Sequence, residues 1–207
     1  MRTRKQIAKG MMAFVVLAGT LSACSKEENT GPTTAVAGLS ESDKGMLLFM
    51  LEEEKLARDT YRAMDALWGT MQFTNIQNSE QAHMDRIAGL LDAYGVAYTI
   101  LPEGQFADQA LQDLYDQFMI DGAQDEAAAL QIGATIEDLD IVDLQDRMDE
   151  TATTSIDDAF AALQCGSRNH LRAFVGAIEN GGGTYVPQFL TQAAYDAILA
   201  GAHENCN

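Results

Sequence analysis

The sequence is short of basic residues. Its 207 residues include 13 Lys and Arg against 31 Asp and Glu, for a formal net charge of −18. Four of the basic residues and no acidic residue fall within 1–23, so the remaining chain carries 9 basic and 31 acidic residues, a net −22. Because a phosphate backbone needs a basic binding surface, this composition argues against nucleic acid as a partner. We interpret the acidic surface as a source of solubility; attraction of cations is the alternative.

Several common motifs are also missing. The chain has three cysteines but no Cys-x-x-Cys pair, and no G-x-G-x-x-G or Walker-type glycine motif for a phosphate group. It shows no repeat of solenoid length and no sustained alternation of apolar and polar residues. These absences argue against repeat and β-sheet architectures. The glycine run at 181–183 follows a helical pattern, so we expect it to end a helix.

The N-terminus has the pattern of an export signal. Four basic residues precede a short apolar run, Met11 to Leu21, which is shorter than a typical membrane-spanning helix. The sequence LSAC at 21–24 resembles a bacterial lipobox, in which the cysteine is acylated. Residues 1–23 are therefore predicted to be a lipoprotein signal peptide, with Cys24 as the lipidation site. An ordinary signal peptide cut near Ala23, or a membrane-spanning anchor, is the alternative.

The remaining chain divides into three parts. Residues 24–40 are polar and small, which is typical of a flexible tether. Residues 41–200 have the size of one domain, and 201–207 form a C-terminal tail. We expect an exported protein that is lipid-anchored to the cell envelope, periplasmic or at the cell surface, and that contacts the membrane through its lipid only. The sequence does not indicate an oligomeric state.

Two cysteines remain after lipidation, Cys165 and Cys206. An exported compartment permits disulfides, and a bond between them would clip the tail to the helix that carries Cys165. The alternative is that both stay unpaired. On a helical wheel Cys165 lies roughly opposite His170, so we do not expect it to ligate a metal with that histidine.

The spacing of apolar residues predicts an all-α fold, because they recur at three- and four-residue steps. Four long helices are predicted: one capped by Ser42 with Asp43 and ended by Gly69, and three over 75–94, 125–148 and 155–180, the last capped by Ser155. A crossover at 96–105 leads into a shorter helix at 106–120, and a short C-terminal helix covers about 191–199. Gly133 falls inside the third long helix, where either close packing or a break is expected. This order corresponds to a ferritin-like four-helix bundle with a long crossover.

Potential metal ligands interrupt the apolar stripes of all four long helices. They are Glu54, the pair Glu80 and His83, Glu137, and His170. Carboxylates and imidazoles on the inward face of a bundle are costly unless something pairs with them, and a metal centre is one such partner. The i, i+3 spacing of Glu80 and His83 places both on one helix face. Each residue alone is more typical of a solvated or hydrogen-bonded side chain; their coincidence indicates a metal site.

Four segments resemble known proteins. The segment EKLARDTY at 54–61 resembles the first-helix motif of rubrerythrin-type proteins, and FTNIQNSEQAHMD at 73–85 resembles their second-helix motif. Together with IEDLDIVDL at 136–144 and CGSRNHLRAF at 165–174, the chain resembles an uncharacterised bacterial ferritin-like family known as a domain of unknown function. The resemblance covers roughly residues 45–200 and implies a ferritin-like bundle without specifying a reaction.

The resemblance also implies roles for the ligands. Glu54 would be a terminal carboxylate, Glu80 would bridge two metals, and Glu137 would be the second lone glutamate. His83 and His170 would each bind through one ring nitrogen.

One position departs from the pattern. Ser167 stands where a glutamate would precede the second histidine, and Asp140, one turn after Glu137, is the candidate replacement. Tyr61 would either hydrogen-bond within the site or serve as a core aromatic residue. Rubrerythrins also carry an iron domain with paired Cys-x-x-Cys motifs, which this chain lacks, so electron delivery of that kind is not expected.

Mixed oxygen and nitrogen ligands favour iron or manganese, in one or two ions per chain. We therefore expect a metal-binding protein, with redox activity towards oxygen or peroxide as the leading hypothesis. The alternatives are a non-catalytic surface module that binds or stores metal, and a structural protein with a relict site, for which Ser167 is the main support.

Overall fold

A computed structural model describes residues 38–206. Six helices and no strands occur in this range: α1 (Glu41–Trp68), α2 (Met71–Ala93), α3 (Gln109–Gly122), α4 (Glu126–Glu150), α5 (Thr154–Asn180) and α6 (Gln192–Ala200). The predicted all-α class is confirmed. The predicted signal peptide, the lipidation site Cys24 and most of the predicted tether lie outside the described residues. Within 38–206, no helix combines the length and apolar composition that crossing a bilayer requires.

The four long helices form two antiparallel hairpins. Helix α1 ends at Gly69, whose φ of 64° is the left-handed conformation that glycine adopts without a steric penalty. The chain then reverses, and later residues of α2 meet earlier residues of α1, as in the contact between Arg58 and Gln81. Helices α4 and α5 are joined by 151–153, and the contact between Gln145 and Gln164 shows the same reversal.

The two hairpins pack on each other. Helix α2 meets α5 in antiparallel contact, with Tyr94 bonded to Ser155 at one end and Glu80 near His170 further along. Helix α1 meets α4 in the same sense, through Tyr61 and Glu137. The connection from α2 to α4 must run the length of the molecule, because these two helices point the same way. Helix α3 lies in this connection and packs on α1 and α4.

Two of the revised helix starts lie where a side-chain oxygen accepts from free backbone N–H groups of the first turn. Ser40, rather than Ser42 with Asp43, caps α1, because its Oγ accepts from the backbone N–H of Asp43 at 3.0 Å. Helix α3 begins at Gln109 instead of 106, because the Asp108 carboxylate accepts from two backbone N–H groups of its first turn.

The other two revised boundaries lack such a cap. Helix α2 begins at Met71, four residues before the predicted start, and its N-cap residue Thr70 makes no side-chain cap bond. Ser155 does not cap α5. It lies inside the helix, and its hydroxyl bonds to the Tyr94 hydroxyl at 2.7 Å.

Gly133 does not break α4. The helix is continuous through this residue because the absence of a side chain leaves room for Phe174 of α5. Phe174 also packs against Tyr61 and Phe73, with ring centroids 5.3 Å away in each case. Close packing is thus the reason for a glycine at this position.

Two apolar clusters fill the core, and every long helix passes through both. One cluster contains Tyr61 and Leu171, and the other contains Met50 and Met84. Along each helix the change from one cluster to the other falls next to a polar residue. That polar layer consists of Glu54, Glu80, His83, Glu137, Asp140, Ser167 and His170.

A pair of glycine substitutions tests the packing at Gly133. A Cβ at this position would overlap the Phe174 ring, whereas a Cβ at Gly176 of α5 meets no atom within 4 Å. We expect Gly133→Ala to lower the free energy of unfolding by about 1–2 kcal/mol, because overpacking outweighs the gain in helix propensity. Gly176→Ala should raise it by about 0.5–1 kcal/mol. Urea unfolding followed by circular dichroism measures both; equal stabilisation by the two alanines would contradict the packing role.

Candidate metal centre

The first ligand group joins α1 and α2. One ligand atom from each of Glu54, Glu80 and His83 lies within 4.8 Å of the others. The Nδ1 atom of His83 is 3.1 Å from Glu54 Oε2 and 2.9 Å from Glu80 Oε2. The i, i+3 spacing of Glu80 and His83 brings both side chains to the same face of α2. These three residues could hold a metal ion.

The second group joins α2, α4 and α5. Glu80, Glu137 and His170 bring their ligand atoms within the same 4.8 Å limit. The Nδ1 atom of His170 is 2.8 Å from Glu80 Oε1 and 3.4 Å from Glu137 Oε2. Glu80 therefore belongs to both groups, with one oxygen facing each imidazole. The two imidazole rings are stacked, with centroids 5.6 Å apart.

The carboxylates of both groups are buried and incompletely satisfied. Glu54, Glu80 and Glu137 are 1–2 % exposed. Among residues 38–206, Glu54 Oε1, Glu80 Oε1 and His170 Nδ1 have no hydrogen-bond partner. Glu80 Oε1 and His170 Nδ1 are close, yet their orientation does not make a hydrogen bond. Buried polar atoms without partners are costly, and the donor set fits a cation bound between them.

The electrostatics of the cluster depend on Glu80. Burial opposes the ionised form of Glu80, but the imidazoles of His170 and His83 outweigh burial and hold its pKa well below the usual range. Burial would lower the pKa of His170, yet the neighbouring carboxylates Glu80 and Glu137 raise it to about 10. Burial raises the pKa of Glu54 to about 7, although His83 opposes this shift. The cluster holds more acidic groups than its two imidazoles can neutralise.

Asp140 belongs to neither three-residue group. Its Oδ2 accepts a short hydrogen bond from Ser167 Oγ, and its Oδ1 has no partner. Burial and the nearby carboxylates of Glu54 and Glu137 raise its pKa well above the usual range. Ser167 occupies the position where a second Glu-x-x-His pair would have its glutamate, and the carboxylate of Asp140 lies against it. Asp140 therefore remains a candidate ligand that lies outside both three-residue groups.

Glu53 is a buried carboxylate that the sequence analysis missed. The acidic run 52–54 predicts a solvated face with Glu54 alone turned inward, but Glu53 is 3 % exposed and neither of its oxygens has a hydrogen-bond partner. Burial, with the charges of Asp140 and Asp143 on α4, raises its pKa well above the usual range. Helix α1 packs on two sides, so two successive residues of the run are buried. Only the packing against α4 distinguishes Glu53 from Glu52, which is half-buried.

Tyr61 takes both of the roles considered for it. Its hydroxyl donates to Glu137 Oε1 at 2.5 Å, and its ring packs in the aromatic cluster with Phe73 and Phe174. The hydrogen bond fixes one oxygen of Glu137, so that the other, Oε2, faces His170. Gly166 serves the opposite side of the site, because a Cβ there would lie 2.7 Å from His83 Nε2. The glycine lets the imidazole approach the α5 backbone.

The other acidic residue of the rubrerythrin-like motif, Asp59, holds the crossover. It pairs with buried Lys55 at 2.5 Å and with Arg58 at 2.7 Å, and it accepts from the backbone N–H of Gly104. Lys55 also donates to the carbonyls of 102 and 105 in the crossover. These two cations are therefore occupied and do not neutralise the carboxylates of the candidate site.

A second buried aspartate holds the segment that precedes α6. Asp138, fully buried on α4, accepts from the Tyr185 hydroxyl and from the backbone N–H groups of 188, 189 and 190. The sequence would assign this residue to solvent, because it lies in an acidic stretch. The extended segment covers the side of α4 that faces away from Glu137.

The C-terminal tail is fastened to α5. Cys165 and Cys206 form a disulfide, with their Cα atoms 5.5 Å apart. Glu204 pairs with Arg168 at 2.5 Å and with Arg172 at 2.8 Å. Hydrogen bonds from Arg168 lower the pKa of Glu204 to about 2. Asn169 also bonds to the backbone of Glu204. Covalent and ionic contacts thus hold the tail beside the helix that carries His170.

Fold and site together define an all-helical protein with a buried cluster of glutamates and histidines that could bind metal. The chain belongs to the family described as an uncharacterized protein domain, DUF2202, which matches residues 43–202. It is 39 % identical over 168 residues to uncharacterized protein MJ0754 of Methanocaldococcus jannaschii, across 80 % of this chain and 91 % of that protein. The crystal structure of hypothetical protein MJ0754 from Methanococcus jannaschii is similar, with a TM-score of 0.80 and 38 % identity, and the match covers 84 % of this chain and all of that one. The expected relation to an uncharacterised family is confirmed, and this relative is archaeal rather than bacterial.

Removal of the disulfide measures how much it constrains the tail. The cross-link spans 41 residues of sequence. In the chain-entropy description, a loop of this length corresponds to about 4 kcal/mol of stability. We expect the double variant Cys165→Ala with Cys206→Ala to lower the free energy of unfolding by about 3–4 kcal/mol relative to the oxidised protein. Reduction of the wild type should have a similar effect, and an unchanged urea midpoint in both cases would contradict it.

Proposed function

We propose that this chain is a ferritin-like metal-binding protein with an iron or manganese centre. The proposed ligands are Glu54, Glu80, His83, Glu137 and His170, with Asp140 as a sixth. The observation that carries the proposal is the convergence of buried, incompletely satisfied carboxylates and imidazoles from four helices on one layer. A cation there would neutralise the excess negative charge that the two imidazoles leave.

The helix arrangement supports the ferritin-like part of the proposal. Two antiparallel hairpins connected by one long crossover are typical of ferritin-like bundles, which build metal sites from side chains on facing helices. In this chain every long helix contributes at least one group to the polar layer, and Glu80 with His83 supplies one Glu-x-x-His pair.

The donor atoms support the choice of metal. Carboxylate oxygens with imidazole nitrogens suit iron or manganese, whereas the two cysteines of the described region form a disulfide and offer no thiolate. Glu80 belongs to both ligand groups and faces a different imidazole with each of its oxygens, so the residues present could hold one or two ions. Such ions, when bound in the reduced state, would supply electrons to dioxygen or peroxide. Tyr61 would hold Glu137 in a fixed orientation during this chemistry.

Export and lipid anchoring are part of the same proposal. The signal-like residues 1–23 and the lipobox-like LSAC at 21–24 support them. The protein would then be attached to the cell envelope through acylated Cys24, with the helical domain outside the bilayer. Membrane fractionation of bacteria that express the full chain tests this: the wild type should sediment with membranes and Cys24→Ser should not. Equal distribution of the two would contradict the anchor.

Metal binding should stabilise the folded protein. A ligand that binds only the folded state at 100 times its Kd adds about 2.7 kcal/mol to the free energy of unfolding. We expect iron(II) or manganese(II), added without oxygen, to raise the melting temperature of the wild type. Glu80→Ala and His83→Ala should each lose most of this increase. They should also lose most of the bound metal, as measured by elemental mass spectrometry. Glu179→Gln, an exposed change on α5, serves as the control.

A second comparison separates metal binding from a general effect on folding. Burial raises the pKa of Glu54 to about 7, so its ionised form is disfavoured in the metal-free folded protein. An unfolded glutamate ionises near its ordinary pKa of 4.5. Its contribution to metal-free stability therefore falls as the pH rises from about 4.5 to about 7. At pH 8, Glu54→Gln should stabilise the metal-free protein yet reduce its response to metal. Loss of stability in both states would indicate a purely structural role.

Turnover distinguishes an enzyme from a storage or binding module. Protein loaded with iron(II) should oxidise it faster than the free ion when dioxygen or hydrogen peroxide is added, as followed by ferric absorbance. Two ions bound per chain together with accelerated oxidation would support the redox function. Stoichiometric binding without acceleration would favour the non-catalytic module, and absence of metal would leave a structural protein.

A further inference from the structure

An open cavity of about 400 Å³ lies between α2 and α5, beside the proposed metal site. Its walls follow one face of each helix: Ser79, Ala82, His83 and Arg86 on α2, and Ala162, Gly166, Asn169 and His170 on α5. Four of these positions, Ser79, Ala82, Ala162 and Gly166, carry small residues that leave room between the helices. The side chains of His83 and His170 are 11 % exposed, whereas those of Glu54 and Glu80 are 1–2 % exposed. Among these four ligand candidates, the imidazoles are the part nearest to the opening.

The tail supplies the third wall of this cavity. Residues 203–206 line it, and the disulfide and the ion pairs of Glu204 hold them there. The chain contains three histidines in all, and all three line this one cavity, since His203 faces it from the tail. Glu204 is the acidic residue of the lining, and its charge is offset by Arg168 and Arg172.

Arg86 gives the cavity a positive charge that is not paired with a carboxylate of residues 38–206. Among residues 38–206, six of the eight lysines and arginines form ion pairs with carboxylates, and Arg86 and Arg147 do not. Arg147 lies over the ring of Phe49, at 4.7 Å from its centroid. Arg86 makes neither kind of contact, although acidic residues outnumber basic ones by more than two to one. It lies one helical turn from His83, on the same face of α2.

We propose that this cavity binds a small anion and delivers it to the imidazole face of the metal site. Arg86 would hold the anion by charge-assisted hydrogen bonds, with His203 as a further polar partner. The ligand class is a small monoanion, either inorganic or a carboxylate, because Arg86 offers one positive charge without a carboxylate partner among residues 38–206 and the acidic Glu204 is already paired. The chemical purpose of this binding rests on the proposed metal function, but the binding itself does not require the metal.

Nitrogen NMR of the histidine side chains tests the proposal directly. Because all three histidines line the cavity, ¹⁵N-histidine labelling of the metal-free protein places every probe at the proposed site. Sodium azide and sodium formate, titrated separately at constant pH and ionic strength, represent the inorganic and carboxylate sources. We expect saturable shifts of the imidazole signals with one or both anions. Shifts that are absent or strictly linear with both anions would overturn the proposal.

Variants of Arg86 identify the anion-binding group. Arg86→Gln should raise the apparent Kd by about tenfold or more, because it removes a charge-assisted hydrogen bond worth about 1.4 kcal/mol. Arg86→Lys should keep most of the affinity. Arg62→Gln is the matched control, because Arg62 is also exposed on a helix but pairs with Glu103 away from the cavity. An Arg86→Gln protein that binds azide and formate as the wild type does would also overturn the proposal.

Metal analysis of the same samples keeps the two proposals separate. Saturable anion binding by a protein that takes up no iron or manganese would refute the metal function and retain the anion site. Metal uptake without anion binding would refute the anion site and retain the metal function. Thermal unfolding of each variant shows whether it is folded, and Arg86→Lys provides the comparison if Arg86→Gln is destabilised.

Discussion

The fold is organised around a layer of charge that the protein alone does not neutralise. Four long helices each pass from one apolar cluster to the other, and at the change they bring carboxylates and imidazoles to the same depth. Two imidazoles are the counter-charges within reach, since the nearby Lys55 and Arg58 are paired with Asp59. Such an arrangement costs stability unless protons or a cation remain bound. The positions of Glu80 between both histidines and of Tyr61 beside Glu137 follow from this constraint.

The site has two sides with different character. On one side Tyr61, the aromatic cluster and the α1–α4 contact keep water away from the carboxylates. On the other, glycine and alanine residues between α2 and α5 leave a cavity that reaches the imidazoles, and the tail closes part of it. A protected interior next to a single open face is the arrangement expected of a site that exchanges small molecules while it retains its ligands.

Helical periodicity predicted much of this architecture. The long helices, the crossover and the inward positions of Glu54, Glu80, Glu137 and both histidines could all be inferred from residues three and four apart. Three features could not. Glu53 and Asp138 lie in acidic runs, and their burial depends on α4 and on the segment before α6 packing against a second helix face. The role of Gly133 depends on Phe174, which is 41 positions later in the chain. The third feature is the exact start of some helices. Several neighbouring side chains could accept from the free N–H groups of the first turn, and the sequence does not show which of them does.

Asp138 also limits how far the chain can be shortened. Its buried carboxylate forms no ion pair within the part of the chain that the structure describes, and it accepts from one hydroxyl and three backbone N–H groups of 185–190. A truncation that removed this segment would strand a charge in the interior, one residue from the glutamate that faces His170. The domain boundary therefore cannot be drawn at the end of α5. The last part of the chain gives α4 the hydrogen bonds that water would otherwise provide.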